Sequence, residues 1–236
     1  MSRYRARGAV LPAAKGPVLS RLGKAAASGR TGMLHVPGGA IYLSEGMVAY
    51  AESRRTPDLA VRLEKAAAVA HTGTVSLLER RWLAREATVD AATELLAGRP
   101  RQARFRACAE LDVSVAAAMP LAVLISEVSR RHEISRQMSA ILTADTVIAQ
   151  RPRLPGHVVR VSDFQWAIVM LARHPVTPRH LALELGQSVF GTTIESFRMV
   201  SMGLLAVPGA PAGPAAMAGA PGQARAAISF IRALGG

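Results

Sequence analysis

Between residues 32 and 52 the apolar pattern breaks into three short runs, and this stretch constrains the fold more than any other. The runs are Met33–Leu34–His35–Val36, Ala40–Ile41–Tyr42–Leu43 and Met47–Val48–Ala49–Tyr50. Pro37–Gly38–Gly39 and Glu45–Gly46 separate them, the residue types that hairpin turns require. Such a meander is not stable alone and must bury one face against other elements. The flanking sequence supplies them. Apolar spacing predicts helices over 18–27, 58–70 and 82–97, and strands over 73–78 and 103–107, the last turning Phe105 inward. From 120 to 149 the pattern is helical, with Leu121, Leu124, Ile125, Val128, Ile134, Met138, Ile141 and Leu142 on its buried side. The class expected is α+β.

Gln150 to Gly156 holds two prolines and is the expected domain boundary. A helix over 162–173 leads into a helix–turn–helix. Thr177 is placed to cap a helix opening on Pro178, whose missing amide hydrogen costs nothing in a first turn. Leu181, Ala182, Leu183 and Leu185 follow, and Gly186 suits the left-handed residue that ends it. A second helix from Val189 carries Phe190, Ile194, Phe197, Val200 and Leu204 at helical spacing. Helix–turn–helix pairs of this kind read DNA, and they also serve as plain packing modules.

The formal net charge of +13 and a pI near 11.4 predict attraction to polyanions, nucleic acid first among them. The positive charge is nearly all Arg, since Lys15, Lys24 and Lys65 are the only lysines. Arg3, Arg5, Arg7 and Lys15 mark residues 1–15 as a basic arm, and 208–236 reads as a low-complexity tail with a short helix over 224–234. The apolar stretch over 113–128 is interrupted by Pro120, Ser126 and Glu127, so no membrane span or membrane partner is expected. The single cysteine, Cys108, excludes an internal disulfide, fits a reducing cytoplasm and is expected to be a buried small residue.

Enzyme motifs are missing. No GxxxxGK[ST], GxGxxG or GxSxG occurs, and His35, His71, His132, His157, His174 and His180 lack ligand partners at metal spacing. Neither catalysis, a cofactor nor a metal is expected. The candidate DNA contacts are Ser188, Thr192, Thr193, Ser196 and Arg198 on the second helix, with Arg160, Arg173 and Arg179 for phosphates. Glu195 and Met199 are also expected to face outward. A second cationic cluster, Arg99, Arg101, Arg104 and Arg106, reads as a solvated strand edge.

Two resemblances accompany this reading. Thr31–Gly32–Met33–Leu34–His35–Val36 and Ile41–Tyr42–Leu43–Ser44–Glu45–Gly46–Met47–Val48–Ala49–Tyr50–Ala51 resemble the hairpin signature of the PATAN family, a bacterial domain of unknown function. Glu94–Leu95–Leu96–Ala97–Gly98 leading to Arg104–Phe105–Arg106 is similar to its later helix and strand, and the likeness spans about residues 16–140. Leu43 stands where that family usually has Phe. Residues 162–207 resemble winged-helix regulators of the MarR type, with the second wing strand missing because Pro208 and the residues after it cannot supply it. The resemblances imply a PATAN-like hairpin-and-helix domain over 16–149, a hinge over 150–156 and a winged helix over 157–207. They imply a transcription regulator that binds duplex DNA through the second domain and a protein or signal through the first, and a homodimer is expected because one short recognition helix with one Arg binds weakly and two half-sites double the contacts. The competing expectation is an adaptor, of the kind found in small-GTPase systems, that uses both domains for protein contacts.

Overall fold

The computed structural model describes residues 16–70, 73–97, 102–108, 118–152 and 159–209. Along the chain run α1 (Pro17–Ala27), β1 (Gly32–Val36), β2 (Gly39–Ser44), β3 (Met47–Ser53), α2 (Leu59–Val69), α3 (Leu77–Ala97) and β4 (Arg104–Ala107). There follow α4 (Leu121–Met138), β5 (Ala149–Gln150), α5 (Asp163–Leu171), α6 (Pro178–Leu185), α7 (Val189–Ser201) and β6 (Leu205–Ala206). The protein is α+β.

Packing divides it into two compact units. Among the described residues, the first holds those within 16–55 and 76–129, and the second those within 56–75 and 130–209. The single boundary expected at 150–156 is therefore corrected. Gln150 pairs with Leu205 and the Arg151 amide donates to the Leu204 carbonyl, so both belong to the second unit; residues 153–158 lie outside the described residues. The excursion of 56–75 is explained at Gly186. There φ is 64°, and a Cβ would stand 2.7 Å from Lys65 Cγ and 3.3 Å from the Val61 carbonyl oxygen. The glycine thus ends α6 and admits α2 against it.

In the first unit the sheet order is β3-β2-β1-β4, all neighbours antiparallel. Leu34 pairs with Ile41 on one side and Phe105 on the other, which places the inward face of the expected meander. That face packs Leu34, Ile41, Leu43 and Val48 with Val18 and Leu22 of α1 and Val89, Ala92 and Leu95 of α3. Residues 87–93 of α3 are all buried, and their small size, Ala87, Ala91 and Ala92 above all, lets the helix lie close over the sheet. The outer, half-buried face of β2 and β3 carries Tyr42, whose hydroxyl donates to Glu52 Oε1 at 2.8 Å, with its ring 6.0 Å from that of Tyr50.

Burial, and then the Glu52 carboxylate that the phenol bonds, push Tyr42 up to about 12. The raised value means the neutral phenol is favoured in the folded chain. Its contribution to stability is present below the usual tyrosine range near 10 and is lost as pH climbs through about 12. In a spectrophotometric titration at 295 nm, Tyr42→Phe is expected to remove the component that ionises latest. Loss of an early component instead would contradict the Glu52 bond.

Three further expectations change. The stretch 73–78 is not a strand. The Ser76 amide donates to Glu79 Oε2 at 2.9 Å and the Glu79 amide to Ser76 Oγ at 3.2 Å, a capping box that starts α3 at Leu77. The Ser76 hydroxyl, then its amide, hold the Glu79 carboxyl below its usual range. The helix expected over 120–149 stops at Met138, whose carbonyl accepts from the Ile141 and Leu142 amides at 2.9 Å, and Thr143 and Thr146 close a separate turn beyond it through their hydroxyls at 2.8 Å. Cys108 is exposed, because it follows a strand whose outward residues, Arg104 and Arg106, are themselves exposed. The basic arm over 1–15, Arg99, Arg101, His71, His157 and the terminal helix over 224–234 lie outside the described residues.

The second unit is built on Ile134, Met138, Leu142, Ile148, Ile168, Leu181, Phe197, Met199 and Leu205. The strand after α7 is paired after all: β6 takes its partner from upstream, with Ala149 opposite Ala206.

Candidate functional site

The helix–turn–helix forms where the local sequence places it. The His180 amide donates to Thr177 Oγ1 at 3.2 Å, Pro178 opens α6, and Gly186 ends it in the left-handed region. Ser188 caps α7 by accepting from the Gly191 amide at 3.2 Å, so its hydroxyl is committed to the helix start. Ahead of this pair, Ser162 and Gln165 form a capping box that opens α5.

The outward face expected for α7 is corrected. Thr192 and Ser196 are 0% exposed and Thr193 is 5% exposed, and Met199 is buried with them. No side chain of α7 is fully exposed. Thr193 donates its hydroxyl to the Val189 carbonyl at 2.7 Å, whereas Thr192 Oγ1 and Ser196 Oγ have no partner. Val189, Thr192, Ser196 and Met199 recur at spacings of three and four, a second buried stripe beside the one through Phe197. Small hydroxyl residues at that spacing fit a tight helix contact as readily as a DNA-facing surface. That was the signal available in the sequence.

Two of the four candidate cations are held by carboxylates as well. Arg198 pairs with Glu195 at 2.6 Å, and Glu195 also accepts from Gln165 Nε2 at 2.8 Å. Arg179 forks onto Asp145, Nε to Oδ1 at 2.7 Å and Nη2 to Oδ2 at 3.0 Å, with only 12% of its side chain exposed. Such bidentate pairing is the strong form of an arginine–carboxylate contact. Arg160 and Arg173 are exposed, the latter donating to Met170 Sδ at 3.3 Å. One cation was missed altogether. Arg131 is 4% exposed, with its guanidinium 4.9 Å from the Phe190 ring centroid, and Arg130 lies 5.9 Å from the same ring. Arg131 lies three residues after Val128 and three before Ile134, on the buried stripe of α4, whereas its exposed neighbour Arg130 lies off it, and that spacing was the signal in the sequence.

An open depression of about 480 Å³ lies against α6, lined by Val147, Leu171, His174, Val176, His180 and Glu184. His180 Nε2 stands 3.6 Å from Glu184 Oε1, both largely exposed. Among the described residues no group of three or more His, Cys, Asp or Glu is arranged to hold a metal, and no helix is long and apolar enough to cross a membrane. The chain matches no family model, no curated protein and no solved structure.

Proposed function

We propose that this protein is an adaptor that works through protein contacts rather than a reader of DNA sequence. One observation carries the reading: α7, the helix that would enter the major groove, keeps Thr192 and Ser196 fully buried and Arg198 paired to Glu195. A recognition helix must present its side chains to base edges, and burying them removes the readout. A second reading, sequence-independent attraction to nucleic acid, is supported by the net charge of +13 and by exposed Arg160 and Arg173.

The test is the double variant Thr192→Val with Ser196→Ala. An unpartnered buried hydroxyl costs about 1–3 kcal/mol. Their removal is expected to raise stability by roughly 1–2 kcal/mol, which corresponds to a higher melting temperature by several degrees. Binding to a labelled duplex at low salt, read by fluorescence anisotropy, is expected to be unchanged. A tenfold loss of duplex affinity in a folded double variant would return the helix to DNA and sink the adaptor reading.

A further inference from the structure

Among the described residues, the amino-terminal end of α3 exposes a cluster of large apolar side chains that the fold does not use. Residues 77–82 are all exposed, an uninterrupted run that covers every side of the helix. Among them Leu77 is 66%, Leu78 78% and Trp82 60% exposed. Short helical segments without a packed face are marginal in water, so a helix end carrying two leucines and a tryptophan into solvent calls for a partner.

The charges say which. At about 100° per residue, Leu77, Arg81, Arg85, Leu78 and Trp82 follow one another, in that order, across an arc of about 140°. Leu78–Trp82 and Arg81–Arg85 are each four apart, so an apolar ridge and a cationic ridge lie side by side. Glu79 and Glu86 fall outside that arc, and Glu79 is engaged by Ser76. Among the described residues no carboxylate pairs with Arg80, Arg81 or Arg85.

We infer that this face of α3 docks an amphipathic helix of a partner protein whose apolar ridge is flanked by carboxylates four residues apart. The inference rests on the adaptor reading and names the chemistry of its partner. Trp and Arg are the residues that anchor protein interfaces, and guanidinium groups pair with carboxylates bidentately. The other occupants fit less well. A bilayer takes an apolar face with its cations on the polar side, whereas Arg81 and Arg85 sit within the apolar arc. DNA phosphates would match the arginines and leave Leu77, Leu78 and Trp82 in water. A second copy docked along the same face would set guanidinium against guanidinium.

Trp82 is the natural reporter, because Trp166→Phe leaves it the sole tryptophan of the full chain. A synthetic helical peptide with Leu and Glu at four-residue spacings is expected to shift Trp82 emission to the blue with saturation, and the same peptide with Lys for Glu is not. Arg81→Glu with Arg85→Glu is expected to weaken the acidic peptide by about tenfold or more, the loss of two surface ion pairs with repulsion added. A flat titration, or one that the double charge reversal does not change, overturns the site while the adaptor reading stands on the Thr192 and Ser196 test. A shift with phosphatidylglycerol vesicles or duplex DNA at lower concentration than with the peptide also overturns it, in favour of that surface.

Discussion

Phe197→Ala is expected to cost the second unit about 3–5 kcal/mol. Phe197 is 1% exposed and belongs to the cluster with Ile134, Met138, Ile168, Leu181 and Leu205. The loss has two parts, the transfer of a large apolar side chain back to water and a cavity that neighbours from several elements cannot close without moving their own backbones. A cost of that size is a large share of the stability of a small unit. Urea denaturation followed by ellipticity is the measurement, and Phe197→Leu, which keeps most of the volume, is expected to cost under about 1.5 kcal/mol. A drop below about 1 kcal/mol for the alanine variant would mean that α7 is not the centre of its unit. The helix would then have the freedom to turn its hydroxyl face outward, and the case for an adaptor would weaken with it.

The second large effect lies in the hairpin of the first unit. Gly46 has φ of 79°, and a Cβ there would overlap the carbonyl oxygen of Ala26 at the end of α1. Gly46→Ala therefore meets a backbone penalty of about 1–2 kcal/mol and a forced shift of about 1–3 kcal/mol more. The expected total is roughly 2–5 kcal/mol. Gly38 is the matched control: its φ is 94°, yet nothing lies within 4 Å of where its Cβ would stand. Gly38→Ala should lose the backbone term alone. If the two variants melt together, α1 does not rest on the β2–β3 turn, and the packing described for this face of the sheet is wrong.

These two sites also show what kind of information a sequence exposes. The turn at Glu45–Gly46 was legible because the need for a positive φ is local. The same holds for Thr177, Pro178 and Gly186, which start and stop α6 within their own nearest turns. The start of α3 shows the limit of reading apolar runs alone. Val75, Leu77 and Leu78 suggest a strand, but the Ser76–Glu79 capping box commits the chain to helix. The box was present in the letters, and its reciprocal bonds outweigh a short apolar run.

The candidate site was less legible, for a different reason. Thr192, Ser196 and Arg198 read as outward because they lie off the Phe190–Phe197 stripe. A helix clasped on more than one side keeps only a narrow outward strip, and the pattern of one helix cannot report how many neighbours it has. The bonds that close the site join residues far apart in the chain. Gln165 reaches Glu195 across 30 positions, and Arg179 reaches Asp145 across 34. No local period encodes such pairs.

The amino-acid sequence by itself determined the class of the fold, the three-strand meander, the helix–turn–helix and its caps, because each depends on backbone preferences and spacings within a few residues. Tertiary structure alone decided that 56–75 joins the second unit, that Thr192 and Ser196 of α7 are buried, and which arginines are paired. Burial and charge pairing are properties of what surrounds a residue in space, and that is settled only when distant segments pack.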